Sequence, residues 1–339
     1  MNTITVLGFE DFGPPAERIG VYEEAAPGAP GPGEALLALD HAPVHPADLL
    51  LIEGRYGTRP QLPARCGADG VARVLEVGAG VTHVSPGDLV PLLMAGVPTW
   101  RSHFRVDAAA LVRLPAHDPR QLALVGANLL SARIMLDESG LAAGGTLIQN
   151  AANSSVGRAV HALARPQGVR VIDVVRSEAA AAELRRGGAE ALVDGPDLAA
   201  RVQEICGKAL PACAFDAVGG AAAGRLAAAL AKRGKLVTYG MLSGDDLSIA
   251  THDILFRGIR AEGFWLRDWI VRNGREKALA LIAALAGRMA AGELRFEIAG
   301  AYDLGDAAQA LAHASRGGRA GKVLLRGPAA RMQERKETR

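Results

Sequence analysis

Residues 146–175 read TLIQNAANSSVGRAVHALARPQGVRVIDVV, and their pattern decides the fold. The apolar run Thr146–Gln149 predicts a buried strand, a turn of small residues follows it, and Val156–Pro166 predicts a helix. A second apolar run, Arg170–Val175, predicts the next strand, and Ser177 behind it is a favourable residue to begin another helix. Strand–helix–strand units of this length form right-handed crossovers, so the stretch predicts a parallel sheet covered by helices.

The same alternation continues toward the carboxyl terminus. The predicted elements are strands at Ala191–Val193, Ala214–Val218 and Lys235–Tyr239 and helices at Leu198–Leu210 and Ala221–Ala231. Alternation of this kind over residues 123–266 is typical of a doubly wound α/β domain that binds a nucleotide.

The region before residue 123 has a different pattern. Short β-like runs are separated by turns rich in Gly and Pro, such as PGPG at 30–33 and SPGD at 85–88, which predicts a compact β-rich domain over residues 1–122. Residues 267–326 combine a long helical pattern with a final strand at Lys322–Leu325, and we expect this segment to rejoin the first domain. Residues 327–339 are dense in Arg, Lys and Glu and are expected to be a disordered tail.

Composition excludes several classes of protein. Of the 339 residues, 49% are hydrophobic and 22% are charged, which is the composition of a globular protein and not of a disordered chain. The formal net charge of +2 gives no overall attraction to nucleic acid or to an anionic membrane. No apolar run approaches the length of a membrane span, and no targeting segment is recognisable, so a cytoplasmic location is expected. The three cysteines lack the spacing of metal ligands.

The turn after the first strand of the parallel sheet is the expected phosphate site, because the start of the following helix offers N–H groups to an anion. It reads QNAANSSVG at 149–157 and departs from G-x-G-x-x-G, although its small residues and Gly157 still permit close approach. The alternative is an ordinary turn in which Asn153 or Ser154 caps the helix.

The end of the second strand indicates which cofactor is bound. Arg176 and Ser177 stand there, and the first carboxylate is that of Glu178. An acidic residue at this position accepts from the 2′-hydroxyl of NAD, whereas an Arg accommodates the 2′-phosphate of NADP. The pattern therefore favours NADPH, the alternative being a merely exposed arginine.

Several strings carry a resemblance to a known family. VGAGV at 77–81 and PGDLV at 86–90 resemble the medium-chain dehydrogenase/reductase superfamily. HPAD at 45–48, EGRYG at 53–57, QNAANSSVG at 149–157 and GFWL at 263–266 are similar to the zinc-free 2-enoyl thioester reductases of mitochondrial-type fatty acid synthesis. The resemblance extends to about residue 326.

This resemblance implies a GroES-like catalytic domain, a Rossmann domain and a homodimer that pairs through the Rossmann sheet edge near residues 248–263. It further implies that Tyr56 donates a proton and that Asn128 lies near the nicotinamide. The residues expected to line the cofactor are Asn153, Ser154, Ser155, Val156, Arg176, Ser177, Glu178, Tyr239, Gly240, Met241, Leu242, Phe264, Trp265, Leu266 and Lys322. Ser155 and the Met241–Leu242 pair depart from glycines that are usual in the family, so the phosphate and nicotinamide walls are expected to be slightly displaced.

Zinc dehydrogenases share the superfamily, and their catalytic ion needs a cysteine before the early aspartate, a His-Glu pair after a glycine and a further ligand. Here His45 takes the first place, and Gly67 is followed by Ala68 and Asp69. At best two ligands remain where three are the usual minimum, so no metal is expected. His45 is then a hydrogen-bonded loop residue and Cys66 a small buried hydrophobe.

The expected activity is NADPH-dependent reduction of the C2–C3 double bond of trans-2-enoyl thioesters of coenzyme A or acyl carrier protein. Hydride goes to the β-carbon, and Tyr56, protonated at neutral pH like other tyrosines, donates the proton. Two alternatives remain: an NADPH:quinone oxidoreductase, and a catalytically inert NADPH-binding protein that acts as a redox sensor.

Overall fold

A computed structural model of the chain describes the backbone of residues 3–337 and the side chains of residues 3–333. The chain forms two compact units, one made of the chain up to Leu130 and from Asn273 onward, the other of Ser131–Arg272. From the sequence, these boundaries are expected after residues 122 and 266. Both observed boundaries lie later in the chain, because residues 123–130 belong to the first unit and most of the helix Leu266–Asn273 belongs to the second.

Most strands within the described residues are short. In chain order they are β1 (Thr3–Phe9), β2 (Gly20–Ala25), β3 (Glu34–Pro43), β4 (Ala64–Arg65), β5 (Val71–Val77), β6 (Leu89–Pro91), β7 (His103–Asp107), β8 (Thr146–Gln149), β9 (Arg170–Val175), β10 (Glu190–Val193), β11 (Cys213–Asp216), β12 (Lys235–Thr238), β13 (Arg260–Gly263), β14 (Ile298–Asp303) and β15 (Lys322–Arg326).

The helices are mostly short as well. They are α1 (Pro15–Arg18), α2 (Pro46–Ile52), α3 (Pro119–Leu122), α4 (Leu130–Glu138), α5 (Ser155–Ala164), α6 (Glu178–Arg186), α7 (Leu198–Cys206), α8 (Gly220–Ala229), α9 (Thr251–Arg257), α10 (Leu266–Asn273), α11 (Arg275–Ala290), α12 (Ala307–Ser315) and α13 (Pro328–Glu337). One π-helical turn, Val125–Leu129, directly precedes α4. Within residues 3–337 no helix has the length and apolarity to cross a membrane.

The first unit is built on two sheets. One has the strand order β2-β1-β4, and the other has the order β14-β15-β3-β5-β6 with β7 also paired to β3. Strand β15 lies antiparallel to β3, with Leu325 opposite Ala42. Fully buried side chains such as Phe9, Leu37 and Trp100 fill the core, and Leu311 and Leu325 from the C-terminal segment pack into the same cluster. Both ends of the chain therefore build this unit.

The second unit has a six-stranded parallel sheet in the order β10-β9-β8-β11-β12-β13. Ile148 in the middle of β8 lies opposite Ile172 of β9 on one side and Ala214 of β11 on the other. This is the doubly wound order, in which ligands bind beyond the carboxyl ends of the strands where the two halves meet. The predicted α/β class, with one β-rich domain and one parallel-sheet domain, is confirmed.

The predicted disorder after residue 326 is wrong for residues 328–337, which form α13. Pro328 suits the first turn of a helix, and the residues that follow it are strong helix formers. Ala329 and Ala330 are buried, and the Arg73 Nη2 donates to Gln333 Oε1 at 2.6 Å. The many charged residues of this segment indicate disorder, and the two buried alanines are too short an apolar run to indicate a helix. Residues 338–339 of the predicted tail lie outside the described part.

Candidate active site

Tyr56 lies in a loop that folds back on α2. The helix ends at Ile52, and Gly54 follows with a φ of 73°, a left-handed conformation that favours glycine. The backbone N–H groups of Arg55 and Tyr56 both donate to the Leu50 carbonyl, at 2.9 and 3.1 Å. These bonds fix the backbone beneath a half-buried phenol ring.

Asn128 lies on the π-helical turn and is only 5% exposed. Its Oδ1 is buried and has no hydrogen-bond partner among the described residues. A buried acceptor left unsatisfied costs about 1–3 kcal/mol, so such an atom is expected where a ligand supplies the missing donor. π turns also occur frequently at functional sites.

A buried cluster of ionisable side chains lies in the same unit and consists of His45, Asp48, Asp69 and Lys322. His45 Nε2 lies 3.2 Å from Asp69 Oδ2, and the His45 backbone N–H donates to Asp48 Oδ2 at 2.8 Å. Burial, aided by nearby Arg319, lowers the pKa of Lys322 to about 8, although the Asp48 and Asp69 carboxylates oppose this shift. Burial raises the pKa of Asp48, while His45 and Lys322 oppose that shift.

The donor groups of these residues fit a zinc ion poorly. The His45 imidazole is engaged with Asp69, and the Cys66 thiol donates to the Leu7 carbonyl at 3.6 Å. Burial raises the pKa of that thiol well above its usual value, which disfavours the thiolate a metal requires. Over the described part of the chain, no three His, Cys, Asp or Glu side chains are grouped as metal ligands would be.

In the second unit, the turn between β8 and α5 has the features of a phosphate site. Ala151 adopts a positive φ of 47° where a glycine is more usual. Ser154 caps α5 by accepting from the Gly157 N–H at 3.1 Å. A Cβ on Gly157 would lie 2.6 Å from the Ala152 carbonyl oxygen, so only glycine permits this close packing. The start of α5 is thereby open to an anion.

The end of β9 presents a positive charge. Arg176 is exposed, and no carboxylate among the described residues pairs with it. Ser177 Oγ caps α6 by accepting from the Ala180 N–H at 3.4 Å. The Glu178 carboxylate is turned to Arg185, whose Nη1 lies 2.6 Å away. The guanidinium of Arg176 is therefore available to an anionic group of a nucleotide.

The ends of β12 and β13 lie side by side, because Thr238 is paired with Gly263. The loops after them contain the predicted residues Tyr239–Leu242 and Phe264–Leu266. Met241, Leu242 and Trp265 are exposed apolar side chains. Such side chains are suited to cover an aromatic ring of a ligand.

Asn150 and Asp216 form a buried polar pair at the carboxyl ends of β8 and β11, and this pair was not predicted from the sequence. Asn150 Nδ2 donates to Asp216 Oδ1 at 2.5 Å, and the Ala217 N–H donates to Asn150 Oδ1 at 2.7 Å. Asp216 also accepts from the Gly219 N–H. The pair ties the end of β8 to the end of β11. A polar residue at the carboxyl end of each buried strand, Asn150 directly after β8 and Asp216 as the last residue of β11, was the signal that could have identified the pair.

The predicted site residues divide between the units. Tyr56, Asn128 and Lys322 lie in the first unit, where Lys322 is near Asp69 and Asp69 in turn contacts the π turn of Asn128. The remaining predicted residues lie in the second unit, at the carboxyl ends of β8, β9, β12 and β13. Their arrangement fits a dinucleotide, with small residues at the phosphate turn and a free guanidinium one strand away.

Two family models match the chain. The model of the alcohol dehydrogenase GroES-like domain matches residues 31–116, and that of the zinc-binding dehydrogenase matches residues 155–284. A human mitochondrial enoyl-[acyl-carrier-protein] reductase is 34% identical over 261 residues, which cover 75% of this chain and 70% of the human protein.

Solved structures are similar over almost the whole chain. A protein from Bacillus thuringiensis described as an NADPH:quinone reductase has a TM-score of 0.88 and 27% identity, with 96% of this chain and 99% of that one covered. The complex of Etr1p with NADP and crotonyl-CoA has a TM-score of 0.84 at 22% identity, with 96% and 100% covered. The Etr1p/Etr2p heterodimer, a mitochondrial 2-enoyl thioester reductase from Candida tropicalis, gives the same TM-score of 0.84, identity of 22% and coverage of 96% and 100%.

Proposed function

Because the chain belongs to the mitochondrial enoyl-[acyl-carrier-protein] reductase family of the medium-chain dehydrogenase/reductase superfamily, we propose that it reduces the C2–C3 double bond of trans-2-enoyl thioesters with NADPH. As a member of this superfamily the protein is an oxidoreductase. The acyl group would be carried by coenzyme A or by acyl carrier protein, and the reaction would yield the saturated thioester and NADP⁺.

The observation that carries this proposal is the buried cluster of His45, Asp69 and Lys322. An alcohol dehydrogenase of this superfamily needs a zinc ion to polarise its substrate, whereas in this cluster the His45 imidazole is engaged with Asp69 and Lys322 lies near the same carboxylate. Reduction of a conjugated double bond needs a proton donor and no Lewis acid. We therefore expect the activity to be independent of zinc.

Tyr56 is the proton donor in this proposal. Bound NADPH supplies a hydride for the β-carbon, which leaves negative charge on the thioester oxygen and requires a proton at the α-carbon. The Tyr56 hydroxyl gives that proton and recovers one from water afterwards. Asn128 would hold the nicotinamide through its unpaired amide oxygen, which is an acceptor.

Binding of NADPH in preference to NADH is proposed from Arg176. Its exposed guanidinium has no carboxylate partner among the described residues and would hold the 2′-phosphate, with the Ser177 hydroxyl beside it. The small residues Asn153–Val156 and the helix start behind them would hold the diphosphate. Met241, Leu242, Phe264 and Trp265 would cover the nicotinamide, and Lys322 would contribute positive charge.

A homodimer is proposed from the free edge of the parallel sheet. Strand β13 is exposed over its whole length, and Leu255 and Phe256 of the preceding helix α9 are 66% and 72% exposed. An unpaired strand beside exposed apolar side chains is a surface on which a second copy can extend the sheet. The Etr1p/Etr2p heterodimer supports association in this family.

An NADPH:quinone reductase is the second candidate, favoured by the likeness to the Bacillus thuringiensis protein over 96% of the chain. A steady-state assay of NADPH oxidation separates the candidates when crotonyl-CoA, crotonyl-acyl carrier protein and a simple quinone are compared. We expect the highest kcat/KM with a crotonyl thioester and no loss of activity after treatment with a chelator. Faster turnover of the quinone would replace the proposal by the second candidate. Tight NADPH binding without oxidation by any acceptor would indicate an inert redox sensor.

A further inference from the structure

Asp69 is a buried carboxylate that links three separate pieces of the first unit. Its side chain is almost fully buried, at 1% exposure. Oδ1 accepts from the Gly70 N–H at 2.8 Å, and Oδ2 accepts from the Ala127 N–H at 2.7 Å. Oδ2 also lies 3.2 Å from His45 Nε2. The carboxylate thus spans a sequence separation of 58 residues to reach the π turn.

The contact with Ala127 is one that the π turn needs. N–H groups in the first turn of a helix have no acceptor within the helix, and a buried one must find an acceptor elsewhere. Ala127 is the third residue of the turn Val125–Leu129, and Asp69 is the acceptor it uses. A charged acceptor makes a stronger bond than a neutral one and also suits the positive end of the helical segment.

Gly126 shows that the turn and the carboxylate are fitted to each other. A Cβ at residue 126 would collide with Asp69 Oδ1 and approach its Cγ within 2.8 Å. Any side chain there would therefore push the carboxylate off the turn. The φ of Gly126 is not in the left-handed region, so space for Asp69 is what requires a glycine at this position.

The loop that carries Asp69 is itself held firmly. The Thr99 Oγ1 donates to the Asp69 carbonyl at 2.8 Å, and the Thr99 N–H donates to the Gly67 carbonyl at 2.9 Å. Trp100 packs so closely on Gly67 that a Cβ there would collide with its ring. A fixed loop lets the carboxylate define the position of the turn rather than follow it.

We propose that Asp69 is a positioning residue that holds the π turn and thereby aims the Asn128 side chain at its ligand. This inference rests on the proposed function, in which Asn128 holds the nicotinamide. Asn128 follows Ala127 directly, so a shift of the Ala127 N–H displaces the amide that the reaction uses. His45 supports the same carboxylate oxygen and keeps the acceptor charge in place.

The test is a double-mutant cycle of Asp69→Asn and Asn128→Ala with a crotonyl thioester and NADPH. Asparagine has one carbonyl oxygen, so it cannot accept from both Gly70 and Ala127 as the carboxylate does. A misplaced contact of about 1 Å can cost up to about 100-fold in rate, and we expect Asp69→Asn to lower kcat roughly 10- to 100-fold. In the Asn128→Ala background the same change is expected to lower kcat less than about threefold, because the turn no longer carries the amide.

Two further measurements keep the outcome decisive. Asp88→Asn is the matched control, since Asp88 Oδ2 accepts the Ser85 N–H at 2.9 Å in an exposed loop of the same unit, and its kcat is expected to be unchanged. Hydrogen exchange at residues 125–129 is expected to accelerate in Asp69→Asn and not in Asp88→Asn. An unchanged kcat, a fully additive cycle or unchanged exchange would overturn the proposal. Absent turnover in the unmodified protein would reject the proposed function, and the exchange experiment would still decide whether Asp69 holds the turn.

Discussion

The hydroxyl of Tyr56 and the guanidinium of Arg176 perform the two most specific tasks of the proposed reaction. Each follows a regular element, Tyr56 shortly after the end of α2 and Arg176 directly after β9, so the element sets the position of its backbone. Such placement is common for functional residues, because loops carry chemistry and the scaffold positions them.

Replacing Tyr56 by Phe removes the proton donor and keeps the ring. We expect kcat with crotonyl-CoA to fall about 100- to 10,000-fold, the usual contribution of a positioned acid, while the dissociation constant of NADPH stays the same. Steady-state kinetics and a fluorescence titration of NADPH measure the two quantities. Tyr22→Phe, on the exposed strand β2, is the control, and equal activities of the two variants would exclude Tyr56 as the donor.

Replacing Arg176 by Asp removes the proposed partner of the 2′-phosphate of NADPH and introduces a carboxylate that can accept from the ribose 2′-hydroxyl of NADH. A charge-assisted hydrogen bond contributes about 1.5–3 kcal/mol, so kcat/KM for NADPH relative to NADH is expected to fall roughly 10- to 100-fold. Kinetics with both cofactors measure the ratio. Arg186→Asp makes the same charge change at the far end of α6 and is expected to leave the ratio unaltered. A preference for NADPH that survives Arg176→Asp would contradict the assignment.

At the scale of the elements, α5 and β9 are joined by an ionic contact inside the second unit. His161 Nδ1 of α5 lies 2.8 Å from Asp173 Oδ2 of β9, and Asp173 Oδ1 accepts from Gln149 Nε2 at 2.7 Å. The buried Asp173 carboxylate therefore has partners on two neighbouring elements. This contact holds the helix whose start forms the phosphate turn.

The contact makes stability depend on pH. The Asp173 carboxylate raises the pKa of His161 above its ordinary value of 6.5, although burial and Arg165 oppose the shift. The stabilisation that the contact between His161 and Asp173 contributes is therefore complete below about pH 6.5, and it is lost as the pH rises through the raised pKa of His161. We expect the Tm of His161→Gln to lie furthest below that of the unmodified protein near pH 5.5 and to approach it toward pH 9.

His103 is expected to show the opposite dependence of Tm on pH. Burial lowers its pKa below 6.5, so its neutral form is favoured in the folded state and acid destabilises it. The Tm of His103→Gln is therefore expected to improve relative to the unmodified protein as the pH falls. Parallel trends for the two variants would show that the Asp173 contact does not determine the behaviour of His161.

Some elements could be predicted from the sequence and others could not, for physical reasons. Strands β8 and β9 were predicted at their observed bounds because buried parallel strands are continuous apolar runs bounded by polar turns. Strand β13, with sequence RAEG, has no apolar pattern and exists because it pairs with β12. The π turn contacts Asp69, which is 58 residues away from Ala127 in the sequence, and a hydrogen bond over that separation has no local sequence pattern.

At the scale of the whole molecule, the open edge of the parallel sheet determines how copies can associate. In β13 the Arg260 N–H donates inward to the Gly234 carbonyl, and the Phe264 N–H donates inward to Thr238. Since donors alternate along a strand, the Ala261 N–H points to the free edge. This group is available to a second chain.

Ala261→Pro is expected to convert the proposed dimer to monomers. Proline removes the outward N–H and leaves the inward hydrogen bonds of Arg260 and Phe264 intact. Sedimentation equilibrium measures the mass in solution, and Ala261→Ser, which keeps the N–H, is expected to remain dimeric. A dimer that persists in Ala261→Pro would place the interface elsewhere.

The first unit is interrupted by the second in the chain, and this order has a consequence for synthesis on the ribosome. The inserted segment Ser131–Arg272 is complete in the nascent polypeptide before β15, the strand that closes the sheet beside β3, has been made. At roughly 5–20 residues per second, translation needs several more seconds to reach Lys322. During that interval the whole second unit is available for folding. Strand β3 of the first unit, by contrast, does not yet have its partner β15.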